Sequence, residues 1–146
     1  IYGELTKLNG KMKILAIEND KAELAKLKSI FNDYGICDTA SDGKEGLNKY
    51  HQAYLLGETY DLITIDLNLP DISGIDVLKQ ISSDEHILFL SKARKIIFSA
   101  ESNPSNVIAA IANQGDAFII KPLKQELLES KLHELGFSKK DVEEGN

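Results

Sequence analysis

The sequence of 146 residues contains one cysteine, one methionine, three prolines and no tryptophan. Because Cys37 is the only cysteine, no disulfide can form within the chain, which is typical of proteins in a reducing cytoplasm. No segment is long and apolar enough to cross a bilayer, and the first residues lack the pattern of a signal peptide. We therefore expect a cytoplasmic chain that does not associate with a membrane.

Acidic residues outnumber basic ones by 23 to 17, which gives a formal net charge of -6. This balance argues against direct binding of nucleic acid, whereas it leaves a protein partner open. The length predicts one domain, which we place at residues 12–137. We interpret residues 1–11 as an N-terminal extension or linker, and a cloning remnant stays open as well. Residues 138–146 are expected to form a polar tail that frays or is free.

Strand-like and helix-like apolar patterns alternate five times along the chain. The predicted strands are Lys13–Ile17, Ile36–Ala40, Leu62–Asp66, Lys95–Ser99 and Ala117–Ile120. The helix that follows each strand is predicted to start, in order, at a capping box on Asp20, at Ser41 or Asp42, at Ser73, at Pro104 and at Pro122. Whether Ile87–Leu90 extends the third helix or forms a separate turn stays open. The alternation predicts an α/β fold with a parallel sheet covered by helices on both faces.

Polar side chains follow four of the predicted strands, namely Glu18, Asp66, Ser99 and Lys121. Because the carboxyl ends of parallel strands meet at one edge of a sheet, we expect these side chains to converge. Two neighbouring carboxylates repel each other unless a cation or a proton lies between them, and Mg²⁺ suits such a pair. Lys121 adds a positive charge, Ser99 a hydroxyl donor and Asn68 a carbonyl or amide group. The set predicts a phosphoryl-binding site in which Asp66 can act as a nucleophile.

Four segments resemble the receiver domain of two-component response regulators, the CheY-like family. They are Lys13–Asp20, Tyr60–Gly74, Ile97–Ala100 and Phe118–Pro122, and they occur in the family's order and spacing. The resemblance covers residues 12–137 and implies a flavodoxin-like, doubly wound sheet of strand order 2-1-3-4-5. It also implies a signalling domain that is not an enzyme, with at most slow self-phosphorylation and autodephosphorylation.

Position by position, the resemblance implies that Asp66 accepts a phosphoryl group from a sensor histidine kinase or a phosphotransfer protein. The implied Mg²⁺ ligands are Glu18, Asn19, Asp66 and the carbonyl of Asn68. Ser99 and Phe118 would form a switch, in which Ser99 bonds the phosphoryl group and Phe118 changes its rotamer. Lys121 would pair with the phosphoryl group or with Asp66. Output would pass to a downstream protein through the fourth helix, fifth strand and fifth helix, a face that can also join two copies into a homodimer.

Asn19 departs from the family's pattern, in which the second of two consecutive acids is usually a direct metal ligand. Its amide keeps an oxygen but loses a charge, so we expect weaker Mg²⁺ binding. This supports an alternative function, a pseudo-receiver that binds partners without phosphorylation. A third hypothesis, a haloacid-dehalogenase-like phosphatase, is disfavoured because Asn68 cannot act as the general acid two residues after Asp66. A smaller departure is Gly115, which lies one place later than usual before the fifth strand.

Overall fold

The structure is a computed structural model that describes residues 12–140. Five parallel strands form one sheet in the order β2-β1-β3-β4-β5. The strands are β1 (Lys13–Ile17), β2 (Ile36–Ala40), β3 (Leu62–Asp66), β4 (Arg94–Ser99) and β5 (Ala117–Ile120). The predicted strand order and the α/β class are therefore confirmed, and β4 begins one residue earlier than expected.

Five helices follow the strands in turn. They are α1 (Lys21–Phe31), α2 (Gly43–Leu55), α3 (Gly74–Ile87), α4 (Pro104–Ala112) and α5 (Gln125–Glu134). Buried residues of α2, α3 and α4 pack on one face of the sheet, and those of α1 and α5 pack on the other. None of the helices within residues 12–140 is long and apolar enough to span a membrane.

Successive residues of the central strands serve opposite faces of the sheet. In β1, Leu15 and Ile17 belong to the cluster under α2, α3 and α4, whereas Ile14 and Ala16 belong to the cluster under α1 and α5. All four are at most 1% exposed. Near-continuous apolar strands are expected when helices cover both faces, because neither face then meets water. Each fully buried leucine or isoleucine contributes about 1.5–3 kcal/mol to this core.

Four of the five helices start where the sequence predicts, and the cap Asn103 before Pro104 is one that the sequence analysis does not name. The N-cap side chains of Asp20, Asp42, Ser73 and Asn103 each accept a hydrogen bond from a backbone N–H in the first turn. The capping box at Asp20 is only half formed, because the N–H of Asp20 donates to Glu18 Oε2 at 3.1 Å and not to Glu23. The carboxylate of Glu18 thus takes the place of Glu23 as the partner of this N–H.

The predicted start of the last helix at Pro122 is wrong. The Lys121–Pro122 peptide bond is cis, and the helix begins at Gln125 after an N-cap residue, Lys124, that makes no side-chain cap. Leu123, which precedes the helix, is buried, so this short connection contributes a side chain to the core.

The structure settles the end of the third helix and shows where the tail begins. The helix α3 runs to Ile87, and the N–H of Leu90 then turns back to the carbonyl of Glu85 at 3.0 Å. At the end of the described residues, the N–H of Lys140 donates to the carbonyl of Asp33 at 2.7 Å, so the first part of the predicted tail lies against the turn after α1. The predicted extension at 1–11 and the tail residues 141–146 lie outside the described residues.

One ion pair is buried between α3 and β4. Lys95 Nζ lies 2.5 Å from Glu85 Oε1, and both side chains are 1% exposed. The second oxygen of Glu85 accepts the N–H of Ala93 at 2.8 Å. The pair therefore ties the end of α3 to the beginning of β4, where the sequence pattern predicted only apolar packing.

Candidate functional site

The carboxyl ends of β1, β3 and β5 bring three charged side chains together. Lys121 Nζ lies 3.0 Å from Glu18 Oε1 and 3.3 Å from Asp66 Oδ2, and it donates a hydrogen bond to Glu18 Oε2 at 3.1 Å. Glu18 is 1% exposed and Asp66 4% exposed. The structure therefore brings together three of the four strand-end residues that the sequence singled out.

The charges of this cluster perturb one another. Burial raises the pKa of Glu18 to about 7, although the hydrogen bond from Lys121 opposes the rise, and the neighbouring Asp66 adds to it. Burial alone would lower the pKa of Lys121, but its hydrogen bond to Glu18 and the charge of Asp66 raise that pKa instead. The lysine thus serves as the counter-charge that lets two carboxyl groups share one buried place.

The oxygen atoms at this edge fit a hard cation. Glu18 Oε1 is buried and has no hydrogen-bond partner among residues 12–140, although it lies 3.0 Å from Lys121 Nζ in an ion pair. Within residues 12–140 no three His, Cys, Asp or Glu side chains form a metal-binding group. A metal here would therefore have two carboxylates and otherwise neutral oxygens, a donor set that suits Mg²⁺.

Asn68 and Asn19 would have to provide the neutral oxygens. The N–H of Asn68 donates to Asp66 Oδ1 at 3.1 Å, so the loop after β3 turns back onto the carboxylate. Gly74 makes this turn possible, because a Cβ there would lie 2.3 Å from the carbonyl oxygen of Asp66. The side chain of Asn19 is exposed beside Glu18.

The hydroxyl of Ser99 has its partners within its own turn. It donates to the carbonyl of Glu101 at 2.9 Å and accepts the N–H of Glu101 at 3.1 Å. Ser99 is buried at the end of β4, and among the described residues the hydrogen bonds of its hydroxyl go to Glu101 and not to Asp66. A rotation of its side chain would be needed before it could reach a group on Asp66.

Phe118 is half-buried on β5, where it packs against the core cluster under α4. A cavity of about 170 Å³ is lined by Phe118 together with Ala110, Ile111, Gly115, Asp116 and Ala117. It adjoins the residue for which the resemblance implies a change of rotamer.

Sequence reasoning missed Asp71. Its carboxylate accepts the N–H groups of Gly43 and Lys44, both at 2.8 Å, and thereby joins the loop after β3 to the start of α2. Gly43 and Lys44 lie 28 and 27 residues before Asp71 in the sequence. The only local signal is an aspartate directly after Pro70.

Comparison with known proteins agrees with this arrangement. A family model described as the response regulator receiver domain matches residues 14–133. Response regulator ArlR of Staphylococcus saprophyticus is 32% identical over 122 residues, which make up 82% of this chain and 50% of that protein. The chain therefore spans half the length of this relative. Chemotaxis protein CheY of Pseudomonas aeruginosa is 25% identical over 126 residues, which cover 85% of this chain and 95% of that protein.

Solved structures show the same fold. The CheX–CheY–BeF3–Mg²⁺ complex from Borrelia burgdorferi matches with a TM-score of 0.77 and 26% identity, covering 88% of this chain and 92% of the matched chain. A CheY-like receiver domain protein from Methanospirillum hungatei matches with a TM-score of 0.72 and 25% identity, covering 86% and 93%. Together with the match of the family model and the sheet order, these findings show that the chain belongs to the response regulator receiver domains of two-component systems.

Proposed function

We propose that this receiver domain accepts a phosphoryl group on Asp66 from the phosphohistidine of a sensor histidine kinase or a phosphotransfer protein. The observation that carries the proposal is the contact of Lys121 with two buried carboxylates, at 3.0 Å from Glu18 and 3.3 Å from Asp66. A fixed cation beside an anionic nucleophile also offsets the charge of incoming phosphoryl oxygens, which is the main requirement of phosphoryl transfer.

In the proposed step, a carboxylate oxygen of Asp66 attacks the phosphorus atom of the phosphohistidine. The new O–P bond forms while the P–N bond breaks, and the imidazole leaves with that electron pair and takes up a proton. Lys121 pairs with the phosphoryl oxygens as they arrive. The domain itself is a phosphoacceptor and not an enzyme, with at most slow self-phosphorylation and autodephosphorylation.

The proposed metal ligands are Glu18, Asn19, Asp66 and the carbonyl of Asn68. When bound, Mg²⁺ supplies further positive charge to the phosphoryl oxygens. Glu18 Oε1 is the buried oxygen best suited to it, because that atom has no hydrogen-bond partner among the described residues.

The proposed output passes through the α4–β5–α5 face, whose exposed apolar residues are Ile108, Ile111, Ile120 and Leu127. Ser99 would leave Glu101 to bond the phosphoryl group, and Phe118 would move into the space beside it. Either a downstream protein or a second copy of the chain would then dock on this face, since exposed apolar clusters favour protein contacts.

The test is labelling with acetyl phosphate, measured by intact mass. We expect one phosphoryl adduct on the wild-type chain in the presence of Mg²⁺, and none after chelation or in Asp66→Ala. Asp76→Ala removes an exposed aspartate on α3 and serves as the control, with labelling unchanged. An adduct that persists in Asp66→Ala would contradict the proposal.

Asn19 supports the alternative of a phosphorylation-independent pseudo-receiver. That function predicts no adduct on the wild-type chain and its appearance in Asn19→Asp, which restores a charged ligand. Labelling of the wild-type chain would refute the alternative.

The output face has its own test. Beryllofluoride with Mg²⁺ should change amide hydrogen exchange in α4 and β5 of the wild-type chain. The same addition should leave Asp66→Ala unchanged. An unaltered face in the wild-type chain would contradict the proposed route of output.

A further inference from the structure

The loop between β3 and α3, residues 67–73, is joined to α2 by one carboxylate. Asp71 Oδ1 accepts the N–H of Gly43 and Oδ2 accepts the N–H of Lys44, both at 2.8 Å. Gly43 and Lys44 begin α2, and the first N–H groups of a helix have no partner inside it. We call this pair of hydrogen bonds the Asp71 clip.

Leu67, at the start of the loop, donates its N–H to the carbonyl of Phe98 at 2.8 Å, and after it the Asp71 clip is the polar link to the rest of the fold. Within residues 12–140, no other hydrogen bond from residues 68–73 reaches beyond the adjoining β3 and α3. The loop also lines an open groove of about 400 Å³ together with Asn106 of α4. The loop is therefore held from the α2 side.

Packing and charge both fit this link. A Cβ on Gly43 would lie 2.3 Å from Ile72 Cγ1, so the loop rests directly on the start of α2. Although desolvation acts in the opposite direction, the N–H groups of Lys44 and Gly43 hold the pKa of Asp71 below its usual range. The carboxylate is thus charged at the positive end of the helix dipole, where an anion is favoured.

We propose that Asp71 is a positioning residue, whose clip holds the loop so that the carbonyl of Asn68 stays beside Asp66. Asn68 lies three residues before Asp71, and its N–H already donates to Asp66 Oδ1 at 3.1 Å. Without the clip the loop keeps the apolar packing of Leu69 and Ile72 but loses its polar link to α2, so the Asn68 carbonyl can shift. The inference rests on the proposed function, because it concerns the Mg²⁺ and phosphoryl site.

Asp42 provides a matched control. Its carboxylate caps the same helix, accepting the N–H of Glu45 at 2.7 Å, but it is not part of the loop. Asp42→Ala and Asp71→Ala therefore remove comparable acceptors from one helix start. Only Asp71→Ala releases the loop.

The experiment measures Mg²⁺ affinity by calorimetry and amide exchange of residues 67–73 by mass spectrometry. We expect Mg²⁺ to bind about 10-fold more weakly to Asp71→Ala, an effect typical of residues that orient metal ligands. Exchange in the loop should rise in the same variant. Asp42→Ala should lose similar stability toward urea while keeping both the affinity and the loop exchange of the wild-type chain.

Asp71→Asn keeps one acceptor oxygen and should give an intermediate affinity, and it replaces Asp71→Ala if that variant does not fold. Equal weakening by Asp42→Ala and Asp71→Ala would overturn the inference, because the carboxylate would then be only a helix cap. Unchanged affinity in Asp71→Ala would overturn it too, while leaving the proposed function intact. A wild-type chain that neither binds Mg²⁺ nor takes a phosphoryl group would refute the proposed function and the inference together.

Discussion

Glu18 is a carboxyl group that the fold buries beside a second one, which raises its pKa from 4.5 to about 7. Between these values the folded chain binds more protons than the unfolded chain, so the free energy of unfolding falls as the pH rises. The stability that the protonated Glu18 contributes is fully present below the ordinary pKa of 4.5 and is lost as the pH rises above about 7.

Glu18→Gln imitates the protonated group at every pH. Urea unfolding of the metal-free protein at pH 5 and pH 7.5 should therefore show a smaller loss of stability in this variant than in the wild-type chain. Glu126→Gln, at an exposed position in α5, is the control and should behave like the wild-type chain. Equal losses in all three proteins would contradict the argument.

Thr64 lies in the middle of β3 and is fully buried, yet its hydroxyl oxygen has no hydrogen-bond partner among the described residues. A buried hydroxyl without a partner destabilises the folded chain. We expect Thr64→Val to raise the free energy of unfolding by about 1 kcal/mol in urea titrations. Thr39→Val on β2, where the side chain is half-buried, should have a smaller effect. A loss of stability in Thr64→Val would show that the hydroxyl has a partner in solution.

At the scale of elements, two helices are followed by a residue other than glycine with a left-handed backbone. Phe89 after α3 has φ 54° and Gln114 after α4 has φ 72°. Gly115 sits one place later for another reason, because a Cβ there would lie 2.9 Å from the carbonyl oxygen of Ala110. Gly115, one place later than in the family's pattern, is thus needed for close approach, and Gln114 occupies the left-handed position.

Gln114→Gly should therefore stabilise the chain by about 1 kcal/mol, because glycine adopts a positive φ without the steric conflict of a side chain. Gly57→Ala gives the opposite test, since Gly57 has φ 73° and an added Cβ would meet no atom within 4 Å. That variant should lose a similar amount through the backbone alone. Thermal unfolding of both variants measures the two effects. Unchanged stability of Gln114→Gly would contradict the argument that the backbone of Gln114 is strained.

The buried Lys95–Glu85 pair predicts strongly non-additive variants. Lys95→Met leaves Glu85 buried without its counter-charge and should cost about 3–5 kcal/mol. Adding Glu85→Leu should recover part of that loss, because the remaining side chains are apolar and of similar size. Urea unfolding of the two single variants and the double variant gives the coupling, and additive losses would contradict the pairing.

Local patterns predicted most of the elements, and distant partners account for what they missed. The strand bounds and the caps at Asp20 and Ser73 depend on spacing and on groups within three residues. The buried Lys95 and the late start of α5 depend on contacts across the fold, which a pattern of apolar residues does not contain.

The features of the candidate site also fall into those that the sequence predicts and those that depend on the fold. Glu18, Asp66 and Lys121 could be predicted to meet, because parallel topology alone sends three strand ends to one edge of the sheet. The direction of the Ser99 hydroxyl depends on a side-chain rotamer, and the Asp71 clip depends on the conformation of a loop. Neither could be predicted from the sequence pattern. The roles of Ser99, Phe118 and Asn19 stay predictions.

At the scale of the whole molecule, metal binding should stabilise the fold. A ligand that binds only the folded chain raises the free energy of unfolding by about 2.7 kcal/mol at 100 times its dissociation constant. We therefore expect Mg²⁺ to raise the midpoint of thermal unfolding, more in Asn19→Asp than in the wild-type chain, and not in Asp66→Ala. Potassium chloride of equal ionic strength is the control, and an equal rise in all three proteins would indicate non-specific binding.

The hydrogen bond between Lys121 and Glu18 joins residues that are 103 positions apart in the chain. The charge that balances the two carboxylates thus comes from near the end of the domain, after most of the sheet has been synthesised. During translation, a chain that has not yet released β5 would expose the acidic pair without its lysine. Under the proposed function, such a nascent chain would be a poor phosphoacceptor, so a kinase would signal only through domains whose folding is complete.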